Sequence, residues 1–564
     1  MGDAESRDTA MTRRRFLQAA TTTALGAGAG VALAACGSSS TTTTSSSTTT
    51  STTSASGPRR GGTLRAAISG GSSSDTLDAQ DGITEADFAR LAQLYDPLVT
   101  QTPGAVPQLV LAEEITPNAD ATMWTIRLKK GITFHNGKPL TADDVMFSFR
   151  RIANPKKPLQ GISGLAPVDL ANMKKVDTWT VQLPCPKAYA ILDQALSGFF
   201  FFFFYYYIVP VGYDPKNPVG TGPFKYKSFV PGSESTCVRN ENYWQSGLPY
   251  LDEVIATDYS DETSQVNAMQ GGQADVADLL TYASIHTLQA SGHNTLVSPS
   301  GTWTPFTMRV DVAPLNDARV RQALRLVVNR PQMRDLVFGN NGLLGNDLFG
   351  IWDPSYNHAI PQRHQDIGQA KSLLKSAGHE SLQIQLVTAD VASGTVQAAT
   401  VFAQQAAAAG ITVNLRQVTV TDFYGKNYLQ WAFAQDYWSY APYLVQVGNA
   451  TLPSSPYNEC HFDDPNYNAL YAQAIRTVDD TKRTQIVHEM QEIDYSTGGY
   501  IIRTSSRSST ATRRMCTGSC RRRSGSRSPT SASARSGCPE RAFRAASNGP
   551  SGRWNRRRRR GPSR

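Results

Sequence analysis

Phe134-His135-Asn136-Gly137-Lys138-Pro139-Leu140-Thr141-Ala142-Asp143-Asp144-Val145 is a turn followed at once by a helix start. Asn136-Gly137 and Pro139 carry turn chemistry, because glycine reaches left-handed backbone angles freely and proline has no amide to give a strand. Thr141 is placed to cap a helix with Asp144 three residues on, close to a capping box. Val145, Ser148, Phe149 and Ile152 then fall on one helical face. Upstream, Trp124-Thr125-Ile126-Arg127-Leu128 alternates apolar and polar side chains as a half-buried strand does. Downstream, Asp317 can cap a helix in which Val320, Ala323, Leu324 and Val327 repeat at core spacing, with Arg321 and Arg325 expected to point outward. From Gly61 onward short strand and helix patterns alternate in this way.

Three more blocks follow in order. Pro218-Val219-Gly220-Thr221-Gly222-Pro223-Phe224 leads to Arg239-Asn240-Glu241-Asn242-Tyr243-Trp244. Pro314-Leu315-Asn316-Asp317-Ala318-Arg319-Val320-Arg321-Gln322-Ala323-Leu324 ends in Asn329-Arg330. Ala370-Lys371 runs through Leu373-Leu374 to Ala377-Gly378, with Gly410-Ile411 ahead of a strand. Gly-Thr-Gly-Pro alone is only a turn. Taken together and in order, the four blocks resemble the peptide/nickel family, family 5, of ABC-importer substrate-binding proteins, the dipeptide- and oligopeptide-binding type.

The resemblance implies a two-lobed α/β periplasmic-binding-protein fold of the large class (type II, cluster C), with a hinge and a ligand cleft between the lobes. Lobe I is expected over residues 61–302 with 476–502 returning to it, and lobe II over 303–475. It also implies capture of a peptide or similar small solute for delivery to an ABC importer, by a monomer without cofactor, metal or catalysis. By position in the family, ligand contacts fall on Ser74, Asp75 and Thr76, on Trp303 and Thr304, and on Asp436, Trp438, Tyr440 and Tyr443. Peptide-binding relatives carry an aspartate just before the proline of the last segment. Here Ala441 precedes Pro442 and the nearby acid is Asp436, so a sugar, an opine or a metal chelate stays open as ligand. No G-x-S-x-G, H-E-x-x-H or Walker pattern supports an enzyme. His135 reads as a turn or packing residue, and His358, His364 and His461 lack the paired spacing of metal ligands.

The charge is unevenly placed. Of 55 basic and 46 acidic residues, those from Arg503 on hold 18 arginines and one acid, leaving 37 bases and 45 acids before them. The body is therefore acidic, with a net charge of −8, and the tail is strongly basic. Among seven cysteines, Cys185 and Cys237 read as buried free thiols, although an oxidising compartment would allow them to pair. Phe199–Phe204 with Tyr205–Tyr207 makes nine consecutive aromatics, read as a buried strand.

At the other end, Thr12-Arg13-Arg14-Arg15-Phe16-Leu17 precedes a weakly apolar Gly/Ala/Thr stretch closing in Leu33-Ala34-Ala35-Cys36. Residues 1–36 resemble a twin-arginine export signal, with Arg13 and Arg14 as its pair, joined to a lipobox in which Cys36 carries the acyl chains. Residues 38 to 54 are all Ser or Thr, so 37–60 is expected to be a tether between membrane and body. Residues 503–564 read as a disordered Arg/Ser-rich tail. Three readings compete for it: a nucleic-acid- or anion-binding arm, a solvated tail, and a shifted reading frame. The last is preferred, because codons for Arg503-Thr504-Ser505 read one base earlier can give the Pro-Tyr-Phe with which relatives continue.

Overall fold

The computed structural model describes residues 59–101, 106–159, 161–197 and 206–512. Its first sheet is built around Thr63–Ser69, a strand parallel to Glu253–Tyr259 on one side and Val276–Ala277 on the other. Glu234–Arg239 and Phe224–Val230 extend it antiparallel past Glu253–Tyr259. Beyond Val276–Ala277 lies Thr504–Thr512, which pairs in turn with Asn294–Trp303 and, at its start, with Leu343–Leu344. A four-stranded antiparallel sheet, Ala112–Pro117, Met123–Leu128, Thr180–Pro184 and Lys174–Asp177, stands beside it. The expected strand is there, with Trp124, Ile126 and Leu128 buried.

The quoted segment makes its turn and helix. Asp144 accepts from Thr141 N and Thr141 Oγ1, both at 2.9 Å, and Val145, Ser148, Phe149 and Ile152 are buried along Ala142–Ile152. His135 does the packing work expected of it. Its Nδ1 accepts from Gly220 N at 3.2 Å and its Nε2 donates to Gly222 O at 3.0 Å, so the first two sequence blocks are stapled together. Burial lowers its pKa to about 4. Gly222 has to be glycine, since a Cβ there would lie 2.4 Å from the Leu94 carbonyl carbon. Asn240, Tyr243 and Trp244 close the same knot: Asn240 bonds Gly222 O, while Tyr243 and Trp244 donate to the buried Asp96.

The second lobe is organised on a five-stranded sheet in the order Ile411–Gln417, Leu382–Thr388, Phe433–Gln435, Phe306–Met308, Tyr500–Ile501. Helix Ala318–Leu326 starts on Asp317, which accepts from Arg319 N at 2.8 Å, and buries Val320, Ala323 and Leu324. The chain crosses from the first sheet to the second between Trp303 and Phe306, and returns between Ile501 and Thr504. The fold is thus two-lobed α/β.

Three expectations are corrected. Arg321 and Arg325 do not point outward; both are buried. Their guanidinium groups donate to carbonyls of Asp494, Tyr495, Thr497, Gly498 and Tyr500, where helix Asp480–Thr497 ends and its last carbonyls lack helical partners. Residues 480–501 do not return to the first lobe, because Tyr500–Ile501 pairs with Phe306–Thr307 of the second. Finally, the tail is not disordered from 503: Thr504–Thr512 is an inner strand of the first sheet. Asn294–Trp303 pairs with it along most of its length, with Leu343–Leu344 at its start and Val276–Ala277 at its end on the other side, so backbone pairing holds it whatever its side chains, and threonine suits the extended backbone. Cys185, Cys237 and Cys460 are buried free thiols. Residues 1–58, 513–564 and most of the aromatic run lie outside the described residues; its last two members, Tyr206 and Tyr207, are buried.

Candidate ligand cleft at the lobe crossing

Trp303 ends the last strand of the first sheet and exchanges two backbone hydrogen bonds with Trp438, N to O at 2.9 and 2.8 Å. The bridge stacks the two indoles, with centroids 6.0 Å apart and planes within 14°. Phe349 also stacks on Trp303, at 5.3 Å, and Tyr443 stacks on Phe349 at 4.9 Å. Tyr500 stands edge-on to Trp303 at 5.3 Å. Three of the predicted contact residues, Trp303, Trp438 and Tyr443, therefore belong to one aromatic column at the crossing between lobes, in geometries that favour ring–ring contact.

The polar members are held from within the protein. Asp436 is fully buried; it accepts from the Tyr424 hydroxyl, from Tyr428 Oη at 3.4 Å and from Tyr437 N at 2.8 Å. Trp438 Nε1 donates to Glu459 at 3.1 Å. Tyr443 Oη donates to Asp494 at 2.7 Å, and Tyr467 Oη reaches the same carboxyl oxygen at 3.1 Å. Thr304 faces Arg503, which donates to its carbonyl and, at 3.0 Å, to its hydroxyl. Tyr440 is buried, and its ring would lie 2.6 Å from a Cβ at Gly301, a residue at φ +67°. Tyr440 Oη and the neighbouring Ser439 Oγ are buried without a hydrogen-bond partner among the described residues. Trp352 Nε1, whose ring also abuts Gly301, is in the same state.

Ser74, Asp75 and Thr76 are placed elsewhere. Asp75 is buried in an ion pair with Arg90 at 3.0 Å, and Arg90 also reaches Asp258 and sits over the Phe229 ring. Thr76 N donates to Asp87 and Ser74 bonds Ser72. These contacts tie the loop to helix Glu85–Leu94 and strand Glu253–Tyr259, and none joins it to the aromatic column. Glu459, Phe349 and Asp494 were not legible as site residues, because each is isolated in sequence and meets the segment 436–443 only through the fold.

A cavity of about 220 Å³ opens beside Pro442 between the lobes, walled by Gly164, Tyr189 and Tyr206 of the first and Val445, Asn449 and Tyr471 of the second. Among the described residues, no formally charged side chain lines it. Among the described residues no group of histidines, cysteines or acids is placed to hold a metal ion.

The family profile of the bacterial extracellular solute-binding proteins, family 5 (middle region), matches residues 106–459. The chain belongs to this family. Family 5 proteins bind a small solute outside the cytoplasm for ABC importers; the relatives are substrate-binding proteins rather than enzymes. The chain is similar to the glutathione-binding protein GsiB of Shigella flexneri, 24% identical over 460 residues that cover 76% of this chain and 87% of that one. The ABC transporter substrate-binding protein CtaP of Listeria monocytogenes shares the fold at a TM-score of 0.72 and 21% identity, covering 81% of this chain and 94% of its own. The periplasmic binding protein DppA of Helicobacter pylori, solved with the peptide STSA, matches at a TM-score of 0.64 and 20% identity, with 81% and 94% covered.

Burial near the column shifts a carboxyl. Asp494 is raised to about 7 by burial, although the Tyr443 and Tyr467 hydroxyls oppose the shift. A carboxyl raised in the folded state binds its proton more tightly there than when unfolded. Its contribution is fully present below the unfolded value near 4 and lost as pH rises through about 7, at most about 4 kcal/mol. Calorimetry from pH 4 to 8 should therefore show Tm falling across that window, with Asp494→Asn flattening the fall. An unchanged pH profile in the variant would remove Asp494 as its source.

Proposed function

We propose that this family 5 protein is a membrane-anchored receptor that captures a peptide or similar small solute between its lobes and delivers it to an ABC importer, with no catalysis. The observation that carries this is the aromatic column Trp438–Trp303–Phe349–Tyr443 at the lobe crossing, within a chain matched by the family over residues 106–459. Broad aromatic faces with a few oriented donors are what a small-ligand site needs. Ser439 Oγ, Tyr440 Oη and Trp352 Nε1 are donors without a partner among the described residues, and a ligand offering carbonyl or carboxylate oxygens satisfies them on closure.

A second reading within the same family is a non-peptide solute: a sugar, an opine or a metal chelate. It is favoured by the engagement of Asp436 with Tyr424 and Tyr428, which competes with pairing to a ligand ammonium group.

The anchor belongs to the proposal. The Arg13-Arg14 signal exports the chain and Cys36 carries the lipid, so Cys36→Ser should move the protein from the membrane fraction to the soluble one. So does the frame shift at Arg503, for which the DNA is the test: an early stop codon in the alternative frame ends the idea. The ligand test is a thermal-shift screen of short peptides, glutathione, sugars and nickel chelates on residues 37–512. A ligand at a hundred times its Kd stabilises by about 2.7 kcal/mol, and Trp438→Ala should remove most of that gain. If peptides leave Tm unmoved while a sugar or chelate raises it, the second reading replaces the first.

A further inference from the structure

The two lobes are joined by two short crossover segments that run side by side. One is Trp303-Thr304-Pro305, between Asn294–Trp303 and Phe306–Met308; the other is Ile502-Arg503, between Tyr500–Ile501 and Thr504–Thr512. The pairings on either side put them in register: Trp303 opposes Ser505 in the first sheet, and Phe306 opposes Ile501 in the second. Between these points the backbone ladder is interrupted, and Arg503 fills the gap. Its side chain is fully buried. It donates through Nη1 to Thr304 O, through Nη2 to Thr304 Oγ1 at 3.0 Å, and lies over the Phe306 ring at 4.9 Å.

No acidic side chain pairs with this guanidinium among the described residues, and its Nε has no hydrogen-bond partner there. A buried cation without a counter-ion costs free energy; what holds it is the opposite crossover.

The backbone of the same segment is fixed to lobe II. Gly345 N donates to Arg503 O at 2.8 Å, Asp347 N to Ile502 O at 3.2 Å, and Ile502 N to Asp347 Oδ1 at 3.0 Å. Asp347 is itself clamped by Arg330 at 2.6 Å and Arg363 at 2.8 Å. One crossover is thus anchored, and the Arg503 side chain carries that anchorage across to the other.

We propose that Arg503 is a positioning residue of the hinge, a cross-brace that fixes the angle between the two crossover segments and so sets the lobe arrangement of the free protein. Hinges work where a few residues absorb the backbone change on closure. Here closure has to turn Thr304 against Arg503, so the contact biases which arrangement is populated. The inference rests on the two-lobed fold and on no assignment of ligand, and it concerns the chain as it stands, with Arg503 at the position where the frame shift is proposed.

The test uses the full chain without ligand, in two variants that weaken the brace from opposite sides: Arg503→Met, which removes the guanidinium but keeps length and apolar bulk, and Thr304→Val, which keeps Arg503 and its bond to the Thr304 carbonyl but removes the hydroxyl acceptor. Small-angle scattering reads the lobe arrangement, and hydrogen exchange reads the amides of Trp303, Trp438, Gly345 and Asp347. Both variants are expected to change the radius of gyration in the same sense and to speed exchange at those amides by tenfold or more. Exchange in Leu382–Thr388 and Met123–Leu128 should stay as in the parent. Superimposable scattering curves overturn the proposal, even with faster hinge exchange, because Arg503 would then stabilise locally without positioning anything. Equal acceleration throughout the molecule overturns it as well, since that is a loss of global stability.

Discussion

Ending the chain at Arg503 is expected to unfold the first lobe, whereas ending it at Thr512 leaves the lobe folded. Thr504–Thr512 lies between Asn294–Trp303 and Val276–Ala277, so its removal strips hydrogen bonds from strands on both sides. It also unseats Leu343–Leu344, which pairs with Thr504 and Ser505. Buried backbone groups left unpaired are costly one by one, and together they match the roughly 5–15 kcal/mol that holds a domain folded. Circular dichroism and limited proteolysis of the two truncations separate the cases. If the shorter chain melts with the cooperativity and Tm of the longer one, the strand contributes nothing and its placement is wrong. The result also bears on the proposed shift of reading frame, because Thr504–Thr512 follows Arg503, where that shift is placed.

Asp347→Ala is expected to cost about 3–5 kcal/mol, the usual loss when one partner of a buried ion pair is removed. Asp347 is fully buried with Arg330 and Arg363 both on its carboxylate, and its Oδ1 also accepts from Ile502 N. Its loss strands two guanidinium groups and a backbone amide in the second lobe at once. At roughly 2–4 °C per kcal/mol for a lobe of this size, Tm should fall by about 10 °C. Replacing the acid and both arginines together should cost less than the sum of the parts, because no charge is then left unpaired. A single-variant loss below about 1 kcal/mol would mean that water reaches these groups.

Much of the fold was legible in the sequence. The turn at Asn136-Gly137, the cap at Thr141 and the face Val145, Ser148, Phe149 and Ile152 are local matters, set by backbone sterics, one side-chain cap and a 3.6-residue period. The core spacing in Ala318–Leu326 was legible for the same reason, yet Arg321 and Arg325 were misread. A period shows which way a side chain points, and only the neighbour supplies what it meets. Here the neighbour is a helix end with carbonyls to offer. The tail was misread because composition describes side chains, while an inner strand position is secured by backbone pairing.

The site divides along the same line. Trp303, Trp438 and Tyr443 were picked out by the order of family blocks, and the fold gathers them into one column. Glu459, Phe349 and Asp494 carry no local signal, and of Ser74–Thr76 it is Asp75 that pairs with an arginine, Arg90 of the first lobe. The amino-acid sequence by itself determined the elements, the family and the aromatic segments, since these depend on neighbours within a few residues. Only the tertiary structure decided which buried charges are compensated and which strand closes the first sheet, because those depend on contacts between residues far apart in the chain. It alone placed Arg503 across from Thr304, 199 residues earlier in the chain.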